Sequence, residues 1–437
     1  MRTLLSVLLI ALSVTPAFAG GPSYIGSSIF GLEGRPMLWD NSKIIHYRVD
    51  GGLLGPLANA TAITHVNQAF QKWVQVPGAS LQLQNDGAIQ GVADGNVDTA
   101  AEFNSVLSTC DSGQQSPIIL DNGVLVQQLT GDANVLGFSG ACNIDSATGH
   151  ITSAFSLLGA PPDLSTALLD AEIVHELGHF LGLDHTDTRR NFTGTEQADI
   201  DGTATMFYLL LTPNMSTLKP DDKAWIAKLY PSATFNSTYG TITGQVLFSD
   251  GISPVQDALV IARSLADPHV TILSSISGYR FTPSPGQKFS TDYMPCVPAT
   301  ECTGGTWGDN PDSTVGSHDP ALIGFYEIPV PPGQYQIEVH RLLDDGSLGP
   351  FDPPLPFPAP EEFWNADESN HDWDTSAGYI VADANPGTIT VSAGQIVSGI
   401  NIILNDQNAT YDVFEQTTPT SASEPVKPVQ GNAGGAK

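Results

Sequence analysis

One run constrains this chain more than any other: His175-Glu176-Leu177-Gly178-His179-Phe180-Leu181-Gly182-Leu183-Asp184-His185. Two histidines four residues apart lie one above the other on a helix, so both imidazoles can reach one ion. Glu176 stands about 100° round the same helix, close enough to hold a water on that ion. Gly182 can take a positive φ and turn the chain sharply, which lets His185 return as a third ligand. Three neutral nitrogens leave the fourth position of Zn²⁺ open, the arrangement of catalytic rather than structural zinc. His-Glu-x-x-His alone arises by chance in roughly one chain of this composition in a hundred. Adding Gly182 and His185 lowers the chance to the order of 10⁻⁵, which disfavours a helix with incidental surface histidines.

The rest of the chain sets the context. A length of 437 residues suggests two or three domains, and 41% apolar with 8% aromatic residues is enough for packed cores. Lys and Arg number 16 against 46 Asp and Glu, a formal net charge of −30. Phosphate backbones and anionic lipid repel such a surface, so nucleic-acid binding is excluded as a reading. With 43 Gly, 32 Pro and only 14% charged residues, a loop-rich, β-heavy protein is expected. Arg2, the apolar run 4–14 and Ala17-Phe18-Ala19 form a secretory signal peptide over 1–19. Nothing later approaches the length of a membrane span, so a soluble, secreted, extracellular monomer without a membrane anchor is expected. Four cysteines suit that compartment. Three connectivities are open, of which Cys110–Cys142 with Cys296–Cys302 keeps each bond inside one domain.

Coarse patterning divides the chain. Residues 43–49 and 81–84 alternate like strands, and 151–158 can form another. Ile63, Val66, Phe70, Trp73 and Val74 recur at helical steps. Further helices are expected over about 165–181, stopped by Gly182, and about 221–229. Residues 88–149 read as loops rich in Gly, Asp, Asn and Ser with apolar islands. Residues 233–240 read as a linker, 241–406 as short β runs between Pro/Gly loops, and 407–437 as a disordered tail.

With these residues in view, the chain resembles the metzincin metallopeptidases, and among them the matrixins. Thr205-Met206-Phe207-Tyr208 is similar to the Met-turn of that clan, with Met215 as the competing methionine. Leu218-Lys-Pro-Asp221-Asp222 and Leu229-Tyr230-Pro231 match the matrixin run before the last helix and its ending. Trp39, the helix ending Phe70-Gln-Lys-Trp73, and Val135-Leu-Gly-Phe-Ser-Gly140 also look like matrixin elements. The resemblance covers about 37–232 and implies an α+β class. Its expected parts are a short segment 20–36, a zincin-like catalytic domain with a twisted mixed sheet and three helices over 37–232, and an all-β sandwich. The sandwich, 241–406 with inserts, resembles carboxypeptidase regulatory-like modules through Gly244-Gln-Val246, Pro331-Pro-Gly333-Gln-Tyr335 and Ala393-Gly394-Gln395.

Departures matter too. Between His65 and His175 the chain has the single His150, which puts a second, structural zinc in doubt. Only 17 residues separate Ala19 from Met37 and none is Cys, so a propeptide-cysteine latency does not apply. Tyr208 has two readings: an oxyanion and zinc contact, as in other metzincins, or a side chain packing in the pocket wall. Asp94, Asn96, Asp98 and Asp121 supply oxygen ligands in turns, suited to a structural Ca²⁺, and are equally ordinary turn residues.

The implied function is a secreted zinc endopeptidase acting on protein or peptide substrates. His175, His179 and His185 hold Zn²⁺, and Glu176 is the general base. The strand at 151–158 is expected to offer its edge to an extended substrate. An apolar stretch, Phe207-Tyr-Leu-Leu-Leu211, is expected to prefer Leu, Ile, Met or Phe after the cut bond. A fragment ending at Pro231 is expected to stay active, because every assigned residue precedes it. The alternative is a non-catalytic secreted adhesion protein that keeps a zinc-loaded fold of the same kind.

Overall fold

Why the motif helix ends up where it does follows from a mixed sheet laid against it. The computed structural model of the chain describes residues 20–27, 31–122, 124–161, 164–188, 197–282, 316–341, 362–366, 368 and 386–405. The expected signal segment, the tail, Cys296 with Cys302, and residues 189–196 after His185 lie outside the described residues. The first half runs β1 (Leu38–Trp39), β2 (Ile45–Val49), α1 (Asn59–Val74), β3 (Leu83–Ala88), α2 (Ala100–Asp111), β4 (Pro117–Leu120), α3 (Leu125–Thr130), β5 (Gly137–Ile144), β6 (His150–Leu158), α4 (Thr166–Phe180), α5 (Gln197–Gly202) and α6 (Pro220–Leu229). After the short α7 (Phe235–Thr238) come the strands β7 (Gly240–Leu247), β8 (Ala258–Ser264), β9 (Ile272–Ile276), β10 (Phe325–Val330), β11 (Gly333–Arg341), β12 (Glu362–Phe363), β13 (Ile389–Val391), β14 (Ile396–Val397) and β15 (Ile402–Ile403). The chain is α+β.

In the first sheet the order is β3-β2-β4-β6, all parallel, with β1 parallel at the start of β6. Strand β4 is buried at all four positions, as a strand covered on both faces must be. Helix α1 turns Ala62, Val66, Ala69, Phe70 and Trp73 inward, and the Trp73 indole donates to the Val174 carbonyl of α4 at 3.0 Å. That contact pins the motif helix to the core.

Four expectations change here. Strand β6 offers no edge: β4 and β1 pair with it, and β5 lies antiparallel along it from Gly137↔Leu158 to Ile144↔Ile151. Among the described residues β5 pairs only with β6, so the edge belongs to β5. Second, 88–149 is not all loop. Phe103, Val106 and Cys110 bury one face of α2, which starts with a Thr99/Glu102 capping box. Cys110 is disulfide-bonded to Cys142 of β5, with Cα atoms 5.6 Å apart. Third, the half therefore carries α2, α3 and α5 beyond the three expected helices.

The fourth change concerns the linker. Phe235, which opens α7, and Tyr239, which caps its end, bring their rings to 5.6 Å in a tilted arrangement, and Tyr239 is buried in the core cluster. Ser232 N–H donates to Gly78 O at 2.8 Å, so the passage into β7 is built into the fold.

Two sheets make up the second half: β10-β7 with β14 and β15 parallel to β7, and β12-β11-β8-β9 with β13 also on β11. Val260, Ala262, Ile337 and Val339 of one sheet share a buried cluster with Ile242, Val246 and Ile328 of the other. That cluster continues into the first half through Trp225 and Tyr230. On the opposite face of β8 and β9, Leu259, Ile261, Ile272 and Ile276 enclose Ile25 and meet Tyr208.

The candidate metal centre

Helix α4 begins where the Ser165 hydroxyl accepts Leu168 N–H, and it ends at Phe180. Gly182 follows at φ +83°, the left-handed conformation that a residue with a Cβ adopts at a cost. Leu183 N–H closes the turn on Gly178 O at 3.0 Å, and the chain doubles back to His185. The ligand nitrogens of His175, His179 and His185 consequently lie within 4.8 Å of one another. Among the described residues they are the single group of three or more His, Cys, Asp or Glu side chains so gathered.

Hydrogen bonds fix the tautomers. His175 Nδ1 lies 2.7 Å from Thr205 O, and His179 Nδ1 lies 2.8 Å from Leu183 O. A carbonyl can only accept, so each Nδ1 carries the proton and each Nε2 is a bare lone pair. Those two Nε2 atoms face each other at 3.1 Å. Lone pairs repel at that distance unless they share an electrophile, and a tetrahedral ion with Zn–N near 2.1 Å sets nitrogens roughly 3.4 Å apart. Burial lowers the His175 pKa to about 4, and burial with the neighbouring imidazoles lowers that of His179 well below its usual range. Both rings are therefore neutral, the ligating form. This donor set fits zinc or a similar borderline divalent ion.

Glu176 sits next to the triad, 5% exposed, with Oε2 accepting the Ser139 hydroxyl of β5 at 2.8 Å. Burial pushes its carboxyl up to about 8, against the opposing pull of Ser139. One turn earlier, Glu172 is also buried and pushed well above the carboxylate range by burial and by Glu176, while its Oε1 accepts Gly159 N–H at 3.2 Å. It stands as a neutral acid behind Glu176.

Met206 lies directly under the helix. A Cβ added at Gly178 would fall 2.2 Å from its sulfur, so only glycine permits that approach. The turn is held by Asp222, whose carboxylate accepts Thr205 N–H at 2.9 Å and Met206 N–H at 3.0 Å. Met215, the competitor, packs instead with Phe207 and Ala171. A second brace is the segment 20–24: Gly20 N–H donates to His185 O at 2.8 Å, and Ser23 N–H to Gly182 O at 2.9 Å. From the same segment the Tyr24 hydroxyl accepts Ala141 N–H of β5 at 2.9 Å.

The remaining candidates are used differently. The Tyr208 ring lies 4.5 Å from that of Phe207, and the side chain packs against the cluster that holds Ile25, Leu259, Ile261 and Tyr279. Asp121 caps α3, its two oxygens accepting Val124 N–H at 3.0 Å and Val126 N–H at 2.9 Å. Asp94, Asn96 and Asp98 occupy an exposed turn in which Asn96 N–H bonds to Asp94 at 3.1 Å and the Asn96 amide to Asp98 at 3.3 Å. All four make turn or cap hydrogen bonds, and among the described residues no three acidic side chains gather within ligand reach of one another. Ser139, Asp222, Glu172 and the carbonyls of Thr205 and Leu183 were given no role by the sequence. Ser139 and Asp222 stand inside stretches that carried the resemblance, and the carbonyls leave no side-chain signal.

No protein-family model matches the chain, and no curated protein matches it either. The function must therefore be argued from these side chains.

Proposed function

We propose that the chain is a secreted zinc endopeptidase with a metzincin fold of the matrixin kind. One observation carries the reading: two bare, neutral Nε2 atoms 3.1 Å apart, a third histidine beside them, and a buried carboxyl on the same helix. His175, His179 and His185 would hold the ion, which when bound supplies Lewis acidity toward a carbonyl and toward water.

The chain's own residues do the rest. Glu176, as its carboxylate beside the cationic centre, would take a proton from water and return it to the leaving amine. Ser139 fixes the orientation of its carboxyl through Oε2. Ser139 also lies on β5, so the strand that orients the base is the one with an edge for an extended peptide. Leu210, Leu211 and Met215 gather near α4 around Ala171, which supports an apolar pocket for the residue after the cut bond.

Cleavage of a denatured protein tests the reading, with the expectation that chelation and Glu176→Ala each abolish it. A purified, zinc-loaded chain that cuts nothing would overturn it in favour of a binding protein.

A further inference from the structure

Strand β9 pairs with β8 alone among the described residues, which leaves the backbone groups on its other side to be satisfied elsewhere. At its centre Ser274 directs all three of its polar groups across to the first half. Its N–H donates to Asp221 Oδ1 at 2.9 Å, its carbonyl accepts the Trp225 indole N–H at 2.9 Å, and its hydroxyl meets Thr186 Oγ1 at 2.7 Å. The Thr186 hydroxyl also bonds to Asp221. Ser274, Thr186 and Asp221 thus form a closed ring of three residues, joined by the two hydroxyls, the carboxyl and the Ser274 N–H.

Thr186 is the residue after His185. Its N–H donates to Met206 O at 2.9 Å, which joins the third histidine to the turn beneath the motif helix. Gly20, which braces the His185 carbonyl, lies so close to Ser274 that an added Cβ would be 2.4 Å from the Ser274 oxygen. The two residues that flank the His185 backbone, Gly20 on its carbonyl and Thr186 next in the chain, both lie against this one serine. Its neighbour Ser275 is just as buried, yet its hydroxyl has no hydrogen-bond partner.

We infer that Ser274 is a positioning residue for the third metal ligand, so that the β-rich second half sets the metal affinity of the first. This rests on the metal-centre reading above. Moving His185 by a fraction of an ångström lengthens one of three bonds to the ion, and outer partners of a ligand commonly alter affinity ten- to a hundredfold.

The test is the zinc dissociation constant of the full chain, read by competition with a chromophoric chelator. Ser274→Ala is expected to weaken zinc roughly tenfold. Thr186→Val should match it, Thr186→Ser should retain the wild-type value, and Ser275→Ala should change nothing. The double variant Ser274→Ala/Thr186→Val should be no weaker than Thr186→Val alone, because the bond that Ser274→Ala removes is already lost with the Thr186 hydroxyl. Single variants that hold zinc as the wild type does, or effects that multiply in the double, overturn the inference; so does equal weakening by Ser275→Ala. Should Ser274→Ala fail to fold, the comparison of Thr186→Val with Thr186→Ser decides alone. A wild-type chain that takes up no zinc, or a His185→Ala variant that binds it undiminished, fails the metal centre itself and this inference with it.

Discussion

Consider Gly178→Ala, the smallest change possible inside the motif helix. Glycine in a helix interior is worth about 1 kcal/mol less than alanine, so propensity favours the variant. Packing opposes it. The new methyl would sit 2.2 Å from Met206 Sδ and 3.0 Å from both Met206 Cε and a Trp73 ring carbon. Met206 is 2% exposed and Trp73 fully buried, so neither can swing into solvent. Forcing an extra carbon into such a core costs about 1–3 kcal/mol. The two effects leave a net loss of only about 0–2 kcal/mol, and the variant should fold. The metal centre does not share this cancellation. The clash is taken up by the Met206 thioether and by its turn, and that turn carries the Thr205 carbonyl that holds His175 Nδ1 and the Met206 carbonyl that holds Thr186 N–H. Zinc affinity should therefore fall roughly tenfold or more while stability hardly moves. Denaturant unfolding of the metal-free protein, beside chelator competition for zinc, separates the two. A variant that is about 1 kcal/mol more stable and binds zinc undiminished would refute the reasoning, because propensity would then have acted without steric opposition.

Other outcomes follow from the same geometry. Glu176→Gln should lower peptide hydrolysis by roughly 10²–10⁴ while retaining zinc, and a fully active variant would remove Glu176 as the base. A fragment ending at Pro231 is expected to lose cooperative unfolding and zinc retention, because it bares Trp225 and Tyr208 and leaves buried Asp221 without Ser274; circular dichroism and metal analysis of the fragment check this. Burial pushes Glu176 and Asp221 each up to about 8, so between pH 6.5 and 8 the native metal-free chain binds more protons than the unfolded chain and its stability falls as pH rises. Denaturant curves across that window should show the fall, and Asp221→Asn should make it shallower. Peptide-library profiling should find Leu, Ile, Met or Phe after the cut bond, and a preference there for Asp, Glu or Lys would remove the apolar pocket.

What the sequence could reveal was whatever is local along the chain. His175, His179 and Glu176 share one helix, so their spacing alone puts them on neighbouring faces. Gly182 announces its own turn, because its φ of +83° suits glycine. Ser139 is 37 residues from Glu176, and only the pairing of β5 with β6 brings it to the base. Alternation in 151–158 marks a strand but says nothing about which strands flank it, and so the expected sheet edge falls one strand too far in. In α2 the helical spacing of Phe103, Val106 and Cys110 was hidden by the Gly, Asp, Asn and Ser around it.

The boundary near residue 232 shows the same limit in a form that matters for function. Composition does change there, and the second half has strands where the first has helices. A change of texture, however, reports which elements form and not whether two groups of elements bury separate cores. Here they share one. Trp225 gives its indole proton to Ser274, and burying an indole of 150–250 Å² at about 25 cal/mol per Å² stabilises by roughly 4–6 kcal/mol. Lys228 pairs with Glu327 at 3.0 Å, and the end of α5 comes so close to the β8–β9 turn that a Cβ on Gly202 would lie 1.8 Å from the His269 carbonyl oxygen. Interactions of this size are a large share of the 5–15 kcal/mol that holds a domain folded. The second half is thus packed into the structure that supports the three histidines, and a fragment ending at Pro231 leaves that support behind.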